Sequence, residues 1–280
     1  MKEEQQPLGI DPGAFLIGML IALILVGAYF LYQYLRFRKR KKQTAVTSGE
    51  VRQILSQHFA YYRMLDSEQQ TRFEQRVLAF ANQKTFIPRN MERVTVEMQV
   101  LISAAMAQLT FGLPPISLQH FQRIIVYPDQ YYSTVTEKMH KGEVNPGARA
   151  IVLSWRNFLK GYAIPDDSLN LGLHEMAHAL ELENLIENRE YNFFRKEPWQ
   201  DFKEESARIS EMIKKGETNF FREYATTNEK EFFAVAVENF FERPKAFCQK
   251  FPRMYGIMIA LLNQDPLAIT NDGFHLPDDI

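Results

Sequence analysis

Three residues within five positions have the types and spacing for hydrolytic chemistry. They are His174, Glu175 and His178, in the run Leu169-Asn-Leu-Gly-Leu-His174-Glu175-Met-Ala-His178-Ala-Leu-Glu181. On a helix, residues four apart lie on one face, one turn apart. Both imidazoles then reach a single Zn²⁺, and Glu175 beside them can take a proton from a water that the metal acidifies. This His-Glu-x-x-His spacing is the zinc-peptidase signature. An exposed helix with two unrelated histidines is the bland alternative. The run is apolar at Leu169, Leu171, Leu173, Met176, Ala177 and Leu180, so its two histidines and its glutamate need partners.

Two histidines are too few. A catalytic zinc takes three protein ligands and leaves one position open. None of His58, His120, His140 and His275 stands in a third-ligand arrangement downstream of His178. A carboxylate is the better candidate. Glu231-Phe-Phe-Ala-Val-Ala-Val-Glu238-Asn-Phe-Phe reads as a second strongly apolar helix, and two acids seven apart share one of its faces. Glu231 can also be read as an acid capping that helix through backbone N–H groups. Glu238 can be read as a group behind the ligands or as one buried against an arginine. Spacing alone leaves the two open.

These helices need a scaffold. Residues 51–83 show helical spacing, with Ser67 before Glu68-Gln-Gln70 as a capping signal. Met98–Leu109 is a third apolar helix. Arg123–Pro128 and Ala148–Trp155 read as strands, and 129–147 as a loop between them. The histidine helix is expected to start near Leu169, capped by Ser168 or Asp167. Further helices are expected at 198–214, 228–242 and 244–262, with an irregular tail from Gln264. The fold class is helix-rich α+β with a small sheet. The phenylalanine pairs 220–221, 232–233 and 240–241 read as core, and Cys248 as a small buried hydrophobe.

The N-terminal region is different in kind. No charge occurs from Pro12 to Leu35. Such a stretch is long enough for one membrane-spanning helix, which needs about 20 residues. Tyr29, Tyr32 and Tyr34 lie at its end, and six cations follow in Arg36–Lys42. Bulky residues and cations close the run, which reads as an uncleaved anchor rather than a signal peptide. The cations resist translocation and attract anionic lipid. That places residues 14–42 in contact with the bilayer, the N-terminus outside and the rest in the cytoplasm.

The chain has 280 residues, 46% of them hydrophobic and 24% charged, with a net charge of −1. This excludes a disordered tail and a multi-spanning membrane protein. A single cysteine excludes a disulfide framework and a Cys-rich metal module. Residues 1–46 carry +4, which leaves −5 on the remainder. A mildly acidic domain is not built for nucleic acid, and no such partner is expected. The expected organisation is an anchor with its basic run at 1–42, a linker at 43–50, a catalytic domain at 51–265 and a tail at 266–280.

Residues 59–262 resemble the Mlc titration factor A family of zinc-dependent peptidases. The matching pieces are Phe86-Ile-Pro, Val94-Thr-Val-Glu-Met98, Ile125-Val-Tyr-Pro128, Ile151-Val-Leu-Ser-Trp155, Leu173-His-Glu-Met-Ala-His178 and Glu231-Phe-Phe-Ala through Arg243-Pro244. The catalytic part is also similar to the protease domain of anthrax lethal factor, through Tyr224-Ala-Thr-Thr-Asn-Glu-Lys-Glu231-Phe-Phe-Ala234. The resemblance implies a zincin domain of the gluzincin type. In it, His174, His178 and Glu231 hold zinc, Glu175 is the base and Tyr224 donates to the transition-state oxyanion. Glu181 stands where the relatives usually carry Asp and would orient an imidazole; Glu238 is a group behind the ligands or an alternative ligand. The membrane span is not part of the family pattern.

The expected activity is therefore peptide-bond hydrolysis by a membrane-anchored zinc peptidase. Strand 149–155 would offer a free edge to an extended peptide or protein substrate. The family name implies a rival, a module that sequesters a transcriptional regulator in the cytoplasm, with peptidase activity weak or secondary.

Overall fold

The computed structural model describes residues 12–40, 45–133, 137–164, 166–190 and 192–271. Two units result, residues 1–44 and 45–280. In the first, helix α1 spans Pro12–Arg40. Its stretch Phe15–Tyr32 has a mean hydropathy of 2.5 and no side chain buried by the protein, so this helix is long and apolar enough to cross a membrane. Lys41, Lys42 and the start of the expected linker lie outside the described residues.

The second unit begins with α2 (Ser48–His58), inside the stretch expected as a linker. Thr47 and Glu50 form a reciprocal capping box there, which satisfies two otherwise orphaned N–H groups. Helices α3 (Ala60–Met64) and α4 (Ser67–Gln83) follow. The cap of α4 is Asp66, one residue before the expected Ser67, because its carboxylate accepts from Gln69 N. Strand β1 (Thr85–Pro88) was not expected; four residues offer too little alternation to be read. Helix α5 (Val96–Thr110) is buried on every side from Gln99 onward and packs on α2 and α4.

Then come β2 (Arg123–Tyr127), β3 (Tyr131–Ser133), β4 (Lys138–His140), β5 (Gly142–Asn145) and β6 (Ala150–Ser154). The supposed loop 129–147 thus holds the two-stranded β3–β4 hairpin and β5. The main sheet runs β1-β2-β6-β5, with β5 antiparallel to β6 and the other pairs parallel. This corrects the expectation of a free edge at 149–155. Strand β6 is buried along its whole length between β2 and β5, as a continuous apolar run dictates. The edge strands are β1 and β5.

Helix α6 (Trp155–Ala163) continues from β6 and was also not expected. Its signal was a helical stripe: Trp155 stacks on Phe158, and Phe158 meets Tyr162. Helix α7 (Leu171–Leu185) starts two residues later than expected. Its cap is Asn170, which accepts from Leu173 N at 3.0 Å. Ser168 has a left-handed backbone, φ 54°, and Asp167 turns back on Leu169 N, so neither can cap.

Helix α8 (Lys196–Lys214) leads to a 3-10 turn (Glu223–Thr227) and then α9 (Glu229–Glu242). The single helix expected at 244–262 is two, α10 (Pro244–Lys250) and α11 (Pro252–Leu262). Pro252 cannot donate to the preceding turn and starts a new helix instead. A last helix, α12 (Pro266–Asn271), occupies the start of the expected tail; residues 272–280 lie outside the described residues.

Aromatic packing fixes α9. Phe232 and Phe233 meet Phe202 of α8, while Phe221 meets Phe232 and Phe247. Rings buried this fully contribute about 1.5–3 kcal/mol each. Phe221, Phe232, Phe233 and Phe240 are core; Phe220, Phe241 and Cys248, all expected to be buried, pack half-buried against it. The α7 helix lies between α5, α6, α9, β5 and β6.

Candidate metal centre

Helix α7 projects His174 and His178 toward the first turn of α9. Their Nε2 atoms are 3.2 Å apart. Glu231 Oε2 lies 3.2 Å from His174 Nε2 and 3.4 Å from His178 Nε2. Zinc bonds of about 2.0–2.1 Å in a tetrahedron set donor atoms about 3.3 Å apart. The triangle has the size of a zinc-ligand face.

The donor chemistry fits as well. Glu231 Oε2 is buried, and it faces the two imidazole nitrogens. Asn228 caps α9 by accepting from Glu231 N at 2.9 Å, so the Glu231 carboxylate is not consumed as a cap. Burial opposes charge on His174, yet Glu231 and Glu238 outweigh it and raise its pKa to about 10. Burial likewise pushes Glu231 up, and the two imidazoles pull it well below the ordinary carboxylate range. The carboxylates around His174 favour a cation at this site, a proton on the ring or a metal ion at the three donors. Among the described residues, His174, His178 and Glu231 are the group able to hold a metal ion.

Glu175 faces the edge strand. It is 6% exposed. Burial raises its pKa to about 7, against the pull of His174 and with help from Glu231, Glu238 and Glu143. A carboxylate so placed is a stronger base than one in water.

Glu238 is 1% exposed and stands behind His174, with Oε2 3.4 Å from Nδ1. The same oxygen is bound by Arg222. Tyr224, on the 3-10 turn, is 52% exposed, with its ring centre 6.3 Å from that of His174. Partial burial and then Glu231 raise its pKa to about 12, so its hydroxyl remains a donor at neutral pH. Glu181 makes no hydrogen bond to either imidazole. Its Oε2 is buried without a partner, and burial lifts its pKa to about 7.

Arg222, Asn228, Asn170 and Gly142 were not singled out from sequence. Asn228 and Asn170 carried a readable signal, a capping residue directly before an apolar helix. Arg222 and Gly142 carried none; only packing brings them to the site.

A family profile described as glucose-regulated metallo-peptidase M90 matches residues 34–261. Mlc titration factor A of Escherichia fergusonii is 28% identical, over 72% of this chain and 82% of its own. The protein of that name from Serratia proteamaculans is 25% identical, over 70% and 82%. An uncharacterized protein of Synechocystis is 25% identical, over 76% and 83%. The profile spans the sheet, α7 and α9, the elements that bring two histidines and a glutamate to one point. The chain belongs to the glucose-regulated metallo-peptidase M90 family, together with the Mlc titration factor A proteins.

Proposed function

We propose that this chain is a membrane-anchored zinc peptidase of the gluzincin type, with its domain after residue 44 on the cytoplasmic side. The observation that carries the reading is the triangle of donor atoms on His174, His178 and Glu231, with sides of 3.2–3.4 Å. Zinc bound there would supply a Lewis acid that polarises the scissile carbonyl and acidifies a water. Glu175 would accept a proton at its carboxylate from the water that adds to the carbonyl carbon, and return it to the amine nitrogen as the C–N bond breaks. Tyr224 Oη donates to the carbonyl oxygen as charge grows on it. Glu238 and Arg222 hold the His174 ring in its orientation.

The substrate is a peptide in extended form. Among the described residues, strand β5 pairs with β6 alone, which leaves its other edge open, and Gly142 of that strand lies against Glu175. A peptide adds there as a further strand, and its backbone supplies the binding energy. The cations after Leu35 support the cytoplasmic placement.

The relatives' name favours a second reading, binding of a regulatory protein at the membrane. One experiment separates the two. Glu175→Gln in the full chain abolishes turnover of a peptide library if the chain is a peptidase, while zinc content stays. A chain that acts by binding loses nothing in that variant.

A further inference from the structure

Gly142 opens the edge strand β5, opposite Leu153 of β6. Its backbone does not need glycine, since Gly216 is the glycine with positive φ among the described residues. Glycine weakens a strand interior and often marks a close approach. Here the approach is to one side chain. A Cβ on Gly142 would lie 2.4 Å from Glu175 Oε1 and 2.6 Å from its Cδ and Cγ. Carbon contacts are comfortable only near 3.5–4.0 Å, at roughly the sum of the atomic radii. The obstructed atoms run from the middle to the tip of the chain, so a rotation of the carboxyl alone gives no relief. Glu175 is also buried, and it lies on a helix packed against β5 and β6.

We propose that Gly142 is a positioning residue: the missing side chain at the start of the edge strand is what lets the Glu175 carboxyl stand between that strand and the three metal donors. The catalytic consequence rests on the peptidase reading; the contact does not. The three atoms nearest an added Cβ at residue 142 all belong to Glu175, so the first group that such a Cβ displaces is the base. The same closeness puts Glu175 beside the backbone of the strand that receives the peptide. The base and the scissile bond are then registered to each other by one strand.

The test is a pair of cycles in the full chain held in detergent. In the first, thermal unfolding is measured for wild type, Gly142→Ala, Glu175→Ala and the double variant. Gly142→Ala is expected to lower Tm by a few degrees, and to cost less than half of that once Glu175 is Ala. Equal shifts in both backgrounds overturn the proposal. If Gly142→Ala does not fold, restored folding in the double variant supports the contact, and continued failure overturns it. In the second cycle, zinc content, kcat and KM on peptides are measured. Zinc is expected unchanged and KM nearly so, with kcat lower by roughly 10- to 100-fold, the scale set by a misplacement of about 1 Å. Glu175→Asp withdraws the carboxyl by one methylene. It should lower kcat in wild type and raise it in Gly142→Ala. Full kcat in a zinc-loaded Gly142→Ala chain overturns the positioning role. A wild type without turnover, with the thermal coupling intact, overturns the peptidase reading and leaves Gly142 as the residue that places Glu175.

Discussion

Glu238 stands behind His174. Its Oε2 lies 3.4 Å from Nδ1, while Nε2 of the same ring faces Glu231 at 3.2 Å. The two acids of α9 therefore serve opposite sides of one imidazole. Removing Glu231 deletes a donor atom, whereas removing Glu238 frees the ring to turn. Glu231→Ala is expected to lose zinc on dialysis. Glu238→Ala is expected to keep it with affinity weakened about 10- to 100-fold, as for other groups that orient a ligand. Zinc content and a chelator competition check both. The reverse order would make Glu238 the ligand.

Glu175 and Tyr224 are expected to serve chemistry rather than metal binding. Glu175→Gln should lower turnover by at least about 10²- to 10⁴-fold. Tyr224→Phe keeps the ring and deletes one donor, for which about 10²- to 10³-fold in kcat is expected. Both variants should hold zinc as wild type does. Parallel measurement of kcat and metal content decides. Unchanged kcat in Tyr224→Phe removes that residue from the mechanism.

Glu242 is expected to make stability pH-dependent. Its Oε1 accepts from Asn170 Nδ2, the residue that caps α7, and its Oε2 is buried without a partner. Burial raises its pKa from 4.5 to about 8 against the Asn170 and Ser168 hydrogen bonds, and Glu238 and Asp167 add to the rise. Arg243 is the neighbouring cation, and the Tyr162 hydroxyl is buried nearby. A raised carboxyl pKa means that the folded chain holds a proton which the unfolded chain has released. The stabilisation is therefore full below about pH 4.5 and is lost as pH rises to about 8. Glu242→Gln should flatten Tm between those values. Parallel Tm curves for variant and wild type would refute this.

Residues 1–44 and 45–280 are separate compact units. A chain starting at Ala45 keeps the Thr47–Glu50 capping box. It is expected to fold with unchanged Tm and zinc content and to appear in the soluble fraction, while the full chain sediments with membranes. Protease added outside intact cells should spare the residues after Lys42 in the full chain. Digestion there would reverse the proposed topology.

Local order was legible because it repeats at short range. The four-residue step from His174 to His178 places both rings on one face of any helix, whatever surrounds it. The uncharged run to Leu35 identifies a helix able to cross a membrane by length and composition alone. The continuous apolar runs of α5 and α9 were equally open to reading. Helix starts were legible wherever the cap was weighed correctly. At α7, Ser168 and Asp167 read as caps, and the turn through left-handed Ser168 leaves that role to Asn170.

What tertiary structure alone decided is which distant residues meet. Glu231 and Glu238 share a face of α9, and only the seating of α9 on α7 turns one toward Nε2 and the other toward Nδ1. Arg222 reaches Glu238 from a turn before α9. Whether 150–154 is an edge or a centre depends on where 142–145 pairs, and two strands of four or five residues carry no record of that partner. Gly142 shows the limit most clearly. Its reason is a space filled by Glu175, a residue of another element, and no periodicity along the chain encodes a contact across two packed surfaces.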